Sequence, residues 1–198
     1  MSSAARDRLF EHLTSKTTHS STTYRPWQHH ITLRPTTLLS YHQIPKYCQD
    51  NPHILTGYRP CTSSTTSCIG SWFYLHNESM NIYTHALPCL LFAIIQTSIS
   101  SYLTTYYPQA SARDHLAFGF FLGCIVACFG ISTLYHTMIA HSHWMESACL
   151  RADFVGIVLQ IVGAFMASLR MGFWCEVGLQ DAYGFMVFIS LQTHSQCS

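Results

Sequence analysis

The chain has 198 residues, of which only 10% are charged and 48% hydrophobic, and its net charge is +1. That balance excludes a nucleic-acid partner held by charge, and the charged fraction is well below the roughly 25% of an average soluble domain. All long apolar runs lie after residue 85, so the chain divides into a polar cytosolic tail with a pre-membrane segment, residues 1–65, and a membrane region, residues 66–198.

The first 65 residues are rich in Ser, Thr and His. Met1–Lys16 contains no apolar core of seven or more residues, so no signal peptide is expected and insertion falls to internal spans. In Ser67–Ser79, the residues Ile69, Trp72, Phe73 and His76 recur at i, i+3, i+4 and i+7, which marks one face of a helix. Trp72 and Tyr74 suit a water–hydrocarbon boundary. Two readings stand: a short helix lying on the cytosolic membrane surface, or an early first turn of the first span.

Three apolar runs follow: Ala86–Tyr107, Leu116–Met138 and Phe154–Phe173, the last with Arg170 near its end. About 20 residues rising 1.5 Å each cross a hydrocarbon core of ~30 Å, so each run is long enough to span a bilayer. The second run holds no Asp, Glu, Lys or Arg and has no amphipathic face, which argues against a soluble helical bundle. Tyr183–Leu191 is apolar but reaches only about 14 Å as a helix, and polar residues 192–198 follow. The expected fold class is an all-α membrane protein with three full transmembrane helices plus part of a fourth.

Seven of the ten Lys and Arg precede the first span: Arg6, Arg8, Lys16, Arg25, Arg34, Lys46 and Arg59. Basic residues concentrate on the cytosolic side, so the N-terminus is expected there, with the plasma membrane or endoplasmic reticulum as the host membrane. The nine cysteines include five in or against apolar runs: Cys89, Cys124, Cys128, Cys149 and Cys175. No CxxC pair occurs, and small polarizable packing residues are expected rather than metal or disulfide roles.

Three polar sets fall where a membrane penalises them. Glu78, Asn81 and His85 share a helix face within about 60°. Ser132 and His136 lie at i, i+4 near the end of the second span, and Asp153 opens the third, with Gly156, Gln160 and Gly163 on its face. In an alternating topology all three sets reach one depth on one side. Ionisable groups inside a bundle are costly and mark functional sites by default. A neutral imidazole is a common zinc ligand, and a nearby carboxylate can orient another ligand or take a proton from metal-bound water. Interhelical hydrogen bonding is the alternative. Glu78, Asn81 and His85 read as such a network, and His136 with Asp153 reads as a site. His141 and His143 read as solvated histidines in the loop beyond the second span.

At these residues a family becomes recognisable. HNESMNIYTHAL (76–87), STLYHTMIAHS (132–142) and RADFVGIVLQIVGAF (151–165) resemble the progestin and adipoQ receptor family, which includes adiponectin receptors and haemolysin-III-related proteins. QDNPHILTGYRP (49–60) and MGFWCEVGLQDAY (171–183) resemble its flanking segments, so the likeness runs from about residue 44 to 190. The resemblance implies the N-terminal part of a seven-span bundle. It implies zinc held by three histidines, of which His136 is the one on span two. Asp153 corresponds to the aspartate beside the zinc-bound water, Ser132 to the family's serine, and Glu78, Asn81 and His85 to its first motif. It further implies a receptor for a lipid or lipid-like ligand with a role in lipid or zinc homeostasis, or a hydrolase of ceramide-type lipid amides in which zinc-polarised water attacks the carbonyl while Asp153 handles the proton. Spans five to seven and their HxxxH pair have no counterpart in this C-terminally truncated sequence, and His194 does not replace them. The expectations are therefore weak or no zinc binding, no catalysis by this chain alone, and stability only as a homo- or hetero-oligomer. A non-catalytic membrane interaction role is the alternative.

Overall fold

The computed structural model describes residues 37–196. The basic residues Arg6, Arg8, Lys16, Arg25 and Arg34 and the stretch Met1–Lys16 lie outside them. Strands β1 (Leu39–Ser40) and β2 (Thr56–Tyr58) pair antiparallel, with Leu39 opposite Tyr58. Between them come 3₁₀ turns at Tyr41–Gln43 and Lys46–Cys48. Helix α1 (Thr65–Gly70) starts at Ser64, whose hydroxyl accepts the Ser67 N–H, and passes into a 3₁₀ turn at Ser71–Phe73. Four helices follow: α2 (Ser79–Tyr106), α3 (Ala112–Met138), α4 (His143–Gly172) and α5 (Val177–Gln196). The first three of these are long and apolar enough to cross a membrane.

The helices outrun their apolar cores. Helix α2 begins seven residues before Ala86, so Glu78 is its N-cap and Asn81 and His85 lie in its first two turns. Helix α4 begins eleven residues before Phe154, where Ser142 accepts the Met145 N–H. His143 is therefore the first residue of a helix and not a loop residue, although its side chain is exposed. Helix α5 starts before Tyr183 and continues through Gln196, 20 residues or about 30 Å, longer than the nine-residue apolar run. In each case backbone hydrogen bonding propagates through polar residues once a helix is nucleated.

The Ser67–Ser79 segment matches neither expectation fully. Its helix stops at Gly70, and α2 is a separate helix, so the segment is no early turn of the first span. The Asn77 N–H is drawn to the Gly57 carbonyl (2.9 Å), and the Ser79 hydroxyl accepts the His76 N–H (2.9 Å). These bonds break the helical ladder and turn His76 inward, while Ile69, Phe73 and Leu75 stay exposed.

Helix α3 packs between α2 and α4. The α3–α4 contact uses the stripe Gly156 and Gly163. A Cβ added at Gly163 would sit 2.8 Å from the Cys124 Cβ, and one at Gly156 would sit 3.3 Å from the Cys128 Cα. Small residues let two backbones approach in this way inside hydrocarbon. Cys124 and Cys128 thus pack, as expected, and Cys68 and Cys149 are buried with Tyr135, Met138 and Ile139. Cys175 is exposed. Outward, Leu87, Leu90, Leu91 and Ile94 on α2 and Phe154, Val158 and Ile161 on α4 are exposed, the arrangement that lipid rather than water tolerates.

The end of the bundle where α3 begins is fastened by charge. Asp114 bonds back to the N–H and hydroxyl of Ser111 (2.7 and 2.8 Å), forming a capping box on α3. Its other oxygen accepts the Arg170 Nε–H at 2.6 Å. Arg170 also donates to Gln180 of α5 (3.1 Å) and stacks on Trp174, 4.8 Å from the ring centre. One buried carboxylate thereby ties α3, α4 and α5 together. In the sequence Arg170 reads as a charge near the end of a span, with no sign of its partner.

Candidate functional site

At the opposite end, the chain after β2 carries Arg59 into the interior, where it is 5% exposed. Its guanidinium donates to the Ser71 hydroxyl (2.7 Å), the Thr137 carbonyl (3.0 Å) and the His136 carbonyl (2.8 Å). A cation on the last carbonyls of α3 meets the negative end of that helix and fixes its final turn. The Trp72 indole N–H adds a bond to the Thr137 hydroxyl (3.0 Å). In the sequence Arg59 reads as a topology-setting charge and as part of QDNPHILTGYRP, neither of which says that it is buried. A lone Arg in a polar tail carries no periodic signal that it will be buried.

On the turn so fixed, His136 Nδ1 lies 2.9 Å from Glu78 Oε2. The same oxygen accepts the Asn81 amide (2.9 Å), and Oε1 accepts the Asn77 amide (2.7 Å). The Glu78 N–H donates in turn to His76 Nδ1 (3.1 Å). The His85 ring meets the His136 ring edge-on, with centres 5.4 Å apart. Burial pushes the Glu78 carboxyl up, but hydrogen bonds from His136 and Asn81 and the charge of Arg59 outweigh it, so the net shift is downward. Burial, reinforced by Arg59, lowers His76 to about 3. Glu78 is thus an anion facing a ring nitrogen. A neutral His136 that donates from Nδ1 keeps the Nε2 lone pair free for a ligand.

Glu78, Asn81, His85 and His136 therefore form one cluster, joining two of the three polar sets. Ser132 is buried one turn before His136. Asp153 stands half-buried on α4, on the face whose Gly156 presses against α3, within electrostatic range of His85, Cys128 and Tyr135. Among the described residues no hydrogen bond or ion pair reaches it. His76 and Asn77, which complete the Glu78 surroundings, were not singled out as site residues, although both stand in the first family-like motif.

The family resemblance implies zinc, and the donor set can be tested against it. Among the described residues no group of three or more His, Cys, Asp or Glu side chains is arranged to hold a metal ion. Glu78 is engaged by His136, Asn77 and Asn81, and His85 meets His136 edge-on instead of pointing beside it. Among the described residues this donor set falls short of the three or four protein ligands that a zinc site takes.

Three helices long and apolar enough to cross a membrane, with a carboxylate–imidazole pair at one end of the bundle, define a multi-pass membrane protein. Residues 73–193 match the haemolysin-III-related family. The chain is 31% identical over 152 residues to the progestin and adipoQ receptor-like protein 1 of Caenorhabditis elegans, covering 77% of this chain and 34% of that protein. It is 36% identical over 137 residues to the adiponectin receptor protein of Drosophila melanogaster, covering 69% and 30%. It is 34% identical over 152 residues to the human progestin and adipoQ receptor family member 3, covering 74% and 47%. The chain belongs to the haemolysin-III-related, progestin and adipoQ receptor family, and it spans 30–47% of these relatives' length.

Proposed function

We propose that this chain supplies the first part of a receptor-like membrane protein for a lipid or lipid-like ligand, whose intact form hydrolyses ceramide-type lipid amides with zinc or serves lipid and zinc homeostasis. The observation that carries the reading is the His136 imidazole, oriented by Glu78 between two apolar helices with one ring nitrogen available. Carboxylate–imidazole pairs of this kind fix the tautomer of metal-binding histidines. His136 would give one ligand, and the remaining ligands would come from outside this chain. Asp153, one helix away, is the candidate proton-handling group, and Ser132 a polar neighbour.

The incomplete donor set favours a second reading, a non-catalytic membrane interaction protein that uses the cluster for helix packing. The two separate in a full-length protein containing this sequence, assayed for bound zinc and for ceramide turnover. His136→Ala is expected to lose zinc, and Asp153→Asn to keep zinc while turnover falls roughly 10- to 100-fold. Unchanged turnover in Asp153→Asn would remove the hydrolase reading, and unchanged zinc in His136→Ala would remove the ligand assignment.

A further inference from the structure

Cys48 and Cys61 depart from the packing role of the span cysteines. Cys48 closes the 3₁₀ turn Lys46–Cys48, and Cys61 follows β2 just after Arg59 and Pro60. Thirteen residues apart in sequence, their sulfur atoms lie 3.7 Å from each other. Among the described residues this is the one contact between two cysteine sulfurs. Both residues are partly exposed and stand outside the long helices. The Cys48 thiol also lies 3.6 Å from the Ile139 carbonyl, three residues beyond His136.

The two thiols are unequal. The hydrogen bond from Cys48 pulls the Cys61 thiol down; burial opposes this, Tyr47 and Arg59 assist it, and the result is about 7. The same hydrogen bond, then burial, then the negative charges of Cys61 and Asp50 push Cys48 up, despite an opposing bond from Tyr47. Buried Cys68 is the remaining thiol near Cys61. Cys61 is thus the more readily ionised member and Cys48 the protonated partner in contact with it. A thiolate beside a resolving thiol is the arrangement of reversible redox cysteines.

We propose that Cys48 and Cys61 form a reversible intramolecular disulfide, with Cys61 attacking small disulfides of the glutathione class and Cys48 resolving the adduct. The Cys61 thiolate displaces one glutathione thiolate from glutathione disulfide and becomes a mixed disulfide. Cys48 then gives up its proton, attacks the Cys61 sulfur and expels the second glutathione. Two electrons pass from the protein dithiol to glutathione disulfide, and both glutathiones leave as thiols once protonated. The sulfurs must close to about 2.05 Å. Neither residue is held inside a long helix, so side-chain rotation can bring them together. Oxidation withdraws the Cys48 thiol from the Ile139 carbonyl and ties the chain after β2 to the turn before it, beside the residue that anchors the end of α3.

The test uses the whole chain in detergent, incubated with glutathione disulfide. Free thiols are then blocked with maleimide, and peptides are mapped after chymotryptic cleavage at Tyr58, which lies between the two cysteines. The expected result is a Cys48–Cys61 cross-linked peptide pair that dithiothreitol separates. Cys48→Ser should leave glutathione on Cys61, and Cys61→Ser should leave Cys48 maleimide-labelled. In the unaltered chain, alkylation of Cys61 should reach half its maximal rate near pH 7, against about 8.5 for an ordinary thiol. Persistent glutathione on Cys61 with Cys48 free, or cross-linking of Cys61 to Cys68 as readily as to Cys48, would overturn the proposal, and both are read on the unaltered chain whether or not the variants fold.

Discussion

At one end of the bundle Arg170 and Asp114 meet at 2.6 Å, and Ser111, Gln180 and Trp174 take up the remaining donors, acceptors and ring face. At the other, Glu78 and His136 meet at 2.9 Å, but the buried Arg59 Nε, His76 Nε2 and His85 Nδ1 have no hydrogen-bond partner among the described residues. Both ends place charge beside apolar helices. The first spends it on joining three helices, and every member has a strong opposite charge or a fixed dipole to meet. The second holds one lowered imidazole, His76, beside a carboxylate and leaves ring nitrogens without a partner among the described residues. Full satisfaction marks a fastening, whereas buried polar atoms without a partner in the protein are the ones open to a further contact.

The largest expected effect lies at the fastened end. Asp114→Ala removes the anion and leaves the Arg170 guanidinium buried, at a cost of about 3–5 kcal/mol. Thermal unfolding in detergent measures it. The double variant Asp114→Leu with Arg170→Met should recover most of the loss, because both desolvated charges are then gone. A loss below about 1 kcal/mol in the single variant would make the pair a surface-like contact and erase the contrast between the ends.

Between the ends, the glycine stripe sets how closely α3 and α4 approach. Gly163→Ala puts a methyl 2.8 Å from the Cys124 Cβ and should cost about 1–3 kcal/mol, with a smaller cost for Gly156→Ala at 3.3 Å from Cys128. Equal or reversed costs on denaturant titration would show that the helices do not bear on each other at Gly163.

The smallest effect is a pH slope confined to the Glu78 end. The folded value of His76 is about 3, below its ordinary 6.5, so the stability it gives is present above pH 6.5 and is lost as pH falls toward 3. Glu78 is also lowered, so its contribution holds above its ordinary 4.5 and is lost as pH falls through its folded value. His76→Asn keeps an acceptor for the Glu78 N–H and removes the titration. Its stability should fall about 1–2 kcal/mol less than that of the unaltered chain between pH 7 and 5. Parallel melting-temperature profiles over that range would show that His76 is not held neutral.

The spans were legible before any coordinates. Runs of about 20 residues without charge have one low-energy home, and the exposed apolar faces of α2, α3 and α4 fit it. Membership of the family was legible as well, because its motifs are local strings. Helix ends were less so: hydropathy reports where lipid is tolerated, whereas the backbone ladder of α2 and α4 runs on through polar turns to a capping residue or a break. The first polar set reads as an interhelical network, and its carboxylate does bond across helices, to His136, which the sequence alone does not pair with it.

Which segments are apolar enough to cross a membrane, and which polar residues lie near their ends, can be read from the chain alone, because both follow from composition and from 3.6-residue periodicity. Helix packing is what brings Glu78 to His136 across 58 positions, carries Arg59 out of the polar segment to close the end of α3, joins Asp114 to Arg170 and sets Cys48 against Cys61. These pairings depend on how far each helix is rotated and at what depth it sits against its neighbour. Periodicity names the face of a helix but carries no information about its partner, and the partner decides whether a buried charge is fastened, tuned or left available.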